Sequence, residues 1–133
     1  MKFEKIGEFS PQVVKTLSLD IPAGTEIFLS EYSFVHIESA HPEAFKYIDM
    51  VAEIVKNPDF VRYSHKKNTV DFIHISGDNT LRLRVPVRPS SDGIHFVRSL
   101  FMLHEKDFNR LKRNNSILPV DKHKKVCYNN SSH

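Results

Sequence analysis

The chain has 133 residues, 40% hydrophobic and 26% charged, which suits one soluble domain with its own core and excludes a disordered composition. Its net charge of +3, with eight histidines counted neutral, permits an anionic partner without requiring one. The lone Cys127 reads as structural; it excludes an intrachain disulfide framework and fits a reducing compartment. No apolar run is long enough to cross a bilayer, and Met1–Glu8 lacks the apolar stretch of a secretion signal, so a cytoplasmic location away from membranes is expected.

Residues 1–24 read as an extension that packs on the main domain. Phe3, Ile6, Phe9, Val13, Val14 and Leu17 supply its apolar positions, with Ser10 as a cap and Pro11 at the first position of a helix over 11–17. Ile21-Pro-Ala-Gly24 breaks the chain, and Thr25–Ser30 reads as a strand. Ser30 or Ser33 is a candidate cap for a short helix carrying Phe34, Val35 and Ile37. Pro42 and Glu43 suit the start of the next helix. Phe45, Ile48, Val51, Ala52 and Val55 continue at helical spacing to Lys56, and Asn57-Pro58 stops it.

Four extended runs follow, Phe60–His65, Thr69–Ser76, Thr80–Arg88 and Ile94–Leu103, separated by short turns as in an antiparallel meander. In the third run Leu81, Leu83, Val85 and Val87 share one face, and Arg82, Arg84 and Arg88 the other. A last helix over 105–113 buries Phe108 and Leu111 and exposes Lys106, Arg110 and Lys112. Residues 114–133 read as a polar tail.

Arg82 and Arg84 are the clearest pointer to chemistry. Two guanidinium forks on one strand face suit phosphate oxygens, although an outer sheet face solvated by arginines accounts for them equally well. His36 and His41 can divide base and acid work between them. Five residues along a straight helix would point the rings apart, so they converge only if the chain bends near His41, where Pro42 disfavours helical geometry. One capping and one packed histidine is the alternative.

Neither histidine spacing nor the nearby Glu38 and Glu43 match a zinc motif, and no metal ligand is assigned. In the last run one of Arg98 and Ser99 faces inward and the other outward if the strand is regular, a rule that a bulge would relax. Ser99 on the arginine face is a hydroxyl donor for a phosphate with Phe101 a stacking surface for a base, Arg98 is a candidate for substrate binding, and a half-buried strand serine is the alternative. Tyr63, Lys66 and Lys67 form a further polar cluster, either lining the same cleft or solvating a hairpin.

The order of these parts resembles the phage-associated branch of the barnase–EndoU–colicin–RelE-like nuclease superfamily. His36-x4-His41 stands before a helix that exits at Asn57-Pro-Asp59, and a basic strand and a final strand with a hydroxyl residue follow. The resemblance spans about Thr25 to Arg113. It implies an α+β domain, residues 25–113, with N-terminal helices packed on one face of a four-stranded antiparallel sheet and a C-terminal helix. It also implies RNA bound on the open face and cut without metal or cofactor, the ribose 2′-hydroxyl attacking phosphorus to leave a 2′,3′-cyclic phosphate.

Carried over, one of His36 and His41 deprotonates the 2′-hydroxyl, Arg82 or Arg84 stabilises the phosphorane, and Ser99 bonds a phosphate oxygen. Pro42 directly after His41, and Leu100-Phe101 after Ser99, depart from the family's pattern. The expected function is a metal-independent endoribonuclease acting as a toxin or phage effector, with RNA as substrate and an immunity or antitoxin protein as inhibitor. The alternative is a non-catalytic RNA-binding or phage structural or interaction protein with the same fold.

Overall fold

The computed structural model describes residues 2–89 and 93–121; Cys127 and residues 122–133 of the tail lie outside them. The first helix, α1 (Pro11–Leu17), forms where its cap and proline predict: the Ser10 hydroxyl accepts the Val13 N–H. It ends at Ser18 in the left-handed region, whose N–H reaches back to Lys15 and Val14 carbonyls. Ser30 caps α2 (Glu31–Ala40) in the same way, accepting from Ser33 N–H.

Three departures follow. The expected long helix is divided into α3 (Pro42–Phe45), a 3-10 turn at Ile48–Met50 and α4 (Val51–Lys56). Phe45, Ile48, Val51 and Val55 still reach the core and Ile54 joins them, whereas Ala52 is exposed, because the tighter turn between two short helices shifts the phase of the hydrophobic stripe. Phe3 and Ile6 lie in a strand, β1 (Phe3–Glu8), although their three-residue spacing reads as helical. The tail supplies a further two-residue strand.

The sheet is therefore larger than a four-stranded meander. Among the described residues it contains β1, β2 (Glu26–Ser30), β3 (Phe60–Ser64), β4 (Thr69–Ile75), β5 (Arg82–Pro89), β6 (His95–Val97), β7 (Phe101–Met102) and β8 (Leu118–Pro119). The order is β1-β2-β6-β5-β4-β3-β8, with β7 also paired to β5. It is mixed: β2 runs parallel to β6, Ile27 opposite His95 and Phe28 opposite Phe96, whereas the other pairs are antiparallel. The antiparallel four-stranded expectation fails because the β2–β6 pairing joins segments far apart in the chain, which local alternation cannot signal.

The two faces are covered differently. Leu83, Val85 and Val87 of β5 join Phe72 and Ile27 under α1 and α4, which contribute Val13, Ile54 and Val55 to the main core. Burying each such side chain contributes about 1.5–3 kcal/mol. Gly7 lets α4 lie close to β1, since a Cβ there would stand 3.3 Å from Val55 Cγ1. On the opposite face the last helix, α5 (Glu105–Arg113), covers only one end. Phe108 packs edge-on to Phe60 with ring centroids 5.5 Å apart, and with Ile73, Leu103 and Ile117 closes a smaller cluster. The remaining part of that face carries the arginines.

Candidate functional site

His41 is the joint between two helices. It is the C-cap of α2 and the N-cap of α3, with φ −134° and ψ 60°, and Pro42 takes the first position of α3. Its N–H still closes α2 on the Ile37 carbonyl at 2.9 Å, while its own carbonyl accepts from Ala44 and Phe45 at 2.9 Å each. Both backbone groups of His41 are thereby paired through the turn. This bend brings the His36 and His41 rings to 6.0 Å between centroids, nearly perpendicular at 79°. His36 is exposed and His41 half-buried, with its Nδ1 4.0 Å from Glu43 Oε2.

From His41 the contacts run onto the sheet. Its ring lies 5.5 Å from that of Phe101 on β7, and the Arg84 guanidinium stands 5.4 Å over the same Phe101 ring. The register places Arg84 of β5 directly opposite Phe101, so both project from one face. Arg84 Nη2 donates to Asp71 Oδ2 at 2.7 Å, and Arg62 Nη1 stands 4.0 Å from the same oxygen. Asp71 is fully buried, and its Oδ1 and Arg84 Nε lack hydrogen-bond partners among the described residues. The result is one continuous row: His36, His41, Phe101, Arg84, Asp71.

The final strand owes its form to one extra residue. Val97 and Leu100 both enter the main core although three residues apart, a spacing that regular alternation forbids. Between Val87–Val97 and Arg84–Phe101, β5 spends Val85 and Pro86 while the facing strand spends Arg98, Ser99 and Leu100. This bulge breaks the strict alternation at Arg98 and Ser99. Arg98 is exposed, its N–H on the Pro86 carbonyl at 2.7 Å. Ser99 is buried and its hydroxyl has no partner among the described residues.

The other candidates sit apart. Arg82 shares the face of Arg84 but is buried, with Nη1 on the Asn79 carbonyl at 3.0 Å, so it fastens the β4–β5 turn. Tyr63 pairs with Val70 and packs on the main core, on the other side of the sheet from Arg84. Lys66 and Lys67 lie in the β3–β4 turn, where Arg88 Nη2 donates to the Lys67 carbonyl at 3.1 Å. Arg88 is four residues along β5 from Arg84, roughly 13 Å at strand rise.

Sequence reasoning missed Asp71 and Arg62. The signal was present in Thr69-Val-Asp71-Phe-Ile, an acid inside an apolar strand run. Such a carboxylate must find a cation, and arginines on the flanking strands β3 and β5 answer it.

The family model for phage-Barnase-EndoU-ColicinE5/D-RelE like nuclease 3 matches residues 4–110. The chain belongs to this nuclease family. The matched stretch of this BECR-like nuclease runs from β1 into α5, and so contains every member of the row from His36 to Asp71. Comparison with curated proteins and with solved structures gave no match. No described helix is long and apolar enough to cross a membrane.

Proposed function

We propose that the protein is a metal-independent endoribonuclease whose site is the row His36, His41, Phe101 and Arg84. The observation that carries this reading is the chain of contacts from His36 to His41, from His41 to the Phe101 ring, and from that ring to the Arg84 guanidinium, a group suited to phosphate oxygens. Membership of a nuclease family supports it.

In this reaction one imidazole takes the proton of the ribose 2′-hydroxyl while that oxygen bonds to the adjacent phosphorus. The phosphorus–O5′ bond breaks, and the second imidazole gives its proton to the departing 5′-oxygen. The products are a 2′,3′-cyclic phosphate and a free 5′-hydroxyl. Arg84 meets the charge that grows on the non-bridging oxygens. Asp71 holds its fork in place beforehand, the condition under which such donors contribute most. The Ser99 hydroxyl is buried two residues from Phe101, so it serves the same phosphate only through a local opening of the strand.

The test is cleavage of a mixed RNA substrate in excess chelator, with product ends identified by phosphatase treatment. His36→Ala and His41→Ala should each lower the rate at least tenfold, about 1.4 kcal/mol of transition-state stabilisation. Full activity in either variant would remove the pair from the mechanism. A non-catalytic RNA-binding module is the second reading, and one observation favours it: the Arg84 charge is already balanced by Asp71. It predicts salt-sensitive RNA binding without turnover. As a toxin or phage effector the enzyme would need a restraining inhibitor protein, and growth arrest on expression, relieved by His41→Ala, tests that role.

A further inference from the structure

The Arg84 face of the sheet continues beyond the catalytic row, and what lies there is aromatic. Along β5, Arg84 and Arg88 point the same way, and Arg88 is directly opposite Phe96 on β6. Phe96 is in register with Phe28 on β2, and Phe3 of β1 closes the group. Phe3 stands edge-on to Phe28 at 5.3 Å and to Phe96 at 5.5 Å, and Phe28 lies 6.1 Å from Phe96. None of the three belongs to either hydrophobic core, and Phe3 is 51% exposed. α5 packs at the far end of this face, over Phe60 and Ile73.

We propose that Phe3, Phe28 and Phe96 form a base-stacking platform for single-stranded RNA, holding nucleotides that flank the phosphate bound at Arg84. This rests on the ribonuclease reading and extends it to β1 and β2. Two features point to nucleic acid rather than to a second protein. The platform is continuous with the catalytic row on one sheet face, through Arg88 and the exposed Arg98 beside Val97. Its flank toward the site is cationic. Lys5, in register with Phe28, pairs with Glu8 at 2.9 Å and Glu26 at 3.1 Å, which partly balances the carboxylates beside the platform.

Every base presents a π-face, so such a platform gives length-dependent affinity with little sequence preference. Arg88 Nε and Nη2 are spent on the Lys67 carbonyl, so this guanidinium contributes charge along the path rather than a free bidentate fork.

The chain contains no tryptophan, so Phe3→Trp in the full-length protein provides a single fluorescent reporter. The ligand is a 2′-O-methyl oligoadenosine dodecamer, which has no free 2′-hydroxyl and stays intact. Saturable quenching that weakens with added salt is expected. By anisotropy with the labelled dodecamer, Phe3→Ala should bind about fivefold or more weakly than wild type, and Phe3→Tyr should recover most of the loss. Unchanged affinity in Phe3→Ala, or no quenching of the tryptophan variant, overturns the platform. Absent quenching together with self-association would mark the patch as a protein contact and overturn it too. Quenching without any RNA cleavage keeps the platform and sinks the nuclease reading; cleavage without quenching does the reverse.

Discussion

Asp71 and Arg84 face each other across β4 and β5, joined by a 2.7 Å bond from Nη2 to Oδ2, with the carboxylate completely buried. The pair lies diagonally on the sheet, since Asp71 is in register with Pro86 and Arg84 with Ile73. Its role is to hold a cation beside Phe101 rather than to add net stability, because desolvation offsets most of the attraction in such pairs. Removing one partner is a different matter. Asp71→Ala should cost about 3 kcal/mol in urea denaturation, since it strands a guanidinium whose side chain is only 16% exposed. Asp71→Leu combined with Arg84→Met should recover most of that stability and none of the RNA cleavage. A double variant as unstable as Asp71→Ala would show that the pair itself holds the sheet together.

The two histidines carry a prediction about pH. With one imidazole acting as base and the other as acid, kcat/KM for RNA should give a bell-shaped profile. His36→Ala and His41→Ala should each abolish one limb and keep the other, and the limb that disappears identifies the base. Identical residual profiles in the two histidine variants would contradict a division of labour.

Much of the local structure was legible because local chemistry determines it. Ser10-Pro11 starts α1 and the Phe108 and Leu111 stripe marks α5, both with the predicted limits. The bend at His41 followed from Pro42, and the two-sided pattern of β5 from the alternation of Leu83, Val85 and Val87 with arginines. What stayed hidden depends on distant partners. β1 and β8 become strands because β2 and β3 offer edges to them, and Phe3 and Ile6 carry a spacing that alone reads as helical. The division between β6 and β7 rests on one residue in excess against β5, which no run of side-chain types reveals. At the site, His36, His41 and Arg84 were readable as residue types, whereas the commitment of Arg82 to the Asn79 carbonyl arises only once the turn is built.

That turn makes a separate prediction. Asp78 Oδ1 accepts the Ser76 hydroxyl at 2.7 Å, the Thr80 hydroxyl at 2.7 Å and the Thr80 N–H at 3.1 Å. These bonds, Ser76 foremost, lower its carboxyl from 3.8 to about 2. A folded-state value below the unfolded one means that the contribution is complete above 3.8 and lost as the pH falls through about 2. Carboxyl chemical shifts should therefore titrate late for Asp78. Ser76→Ala should bring that titration back toward the ordinary aspartate range; if it does not, the hydroxyl is not the main cause.

His95 gives a second acid-sensitive element, this one inside the core. It is buried at the parallel β2–β6 pairing, its ring 5.0 Å from and edge-on to Phe9, and its Nδ1 has no hydrogen-bond partner among the described residues. Burial lowers its pKa below the usual 6.5, opposed in part by a hydrogen bond to the Gly93 backbone. Above 6.5 the ring is neutral in both folded and unfolded chains, and its contribution to stability is intact. Below 6.5 the unfolded chain gains a proton that the folded one resists, so stability falls toward the depressed value. The melting temperature should therefore drop between about pH 7 and about pH 5, before the carboxylates titrate. His95→Phe should flatten that segment of the curve while keeping the edge-on contact with Phe9. An equal drop in the variant would place the acid sensitivity on another histidine.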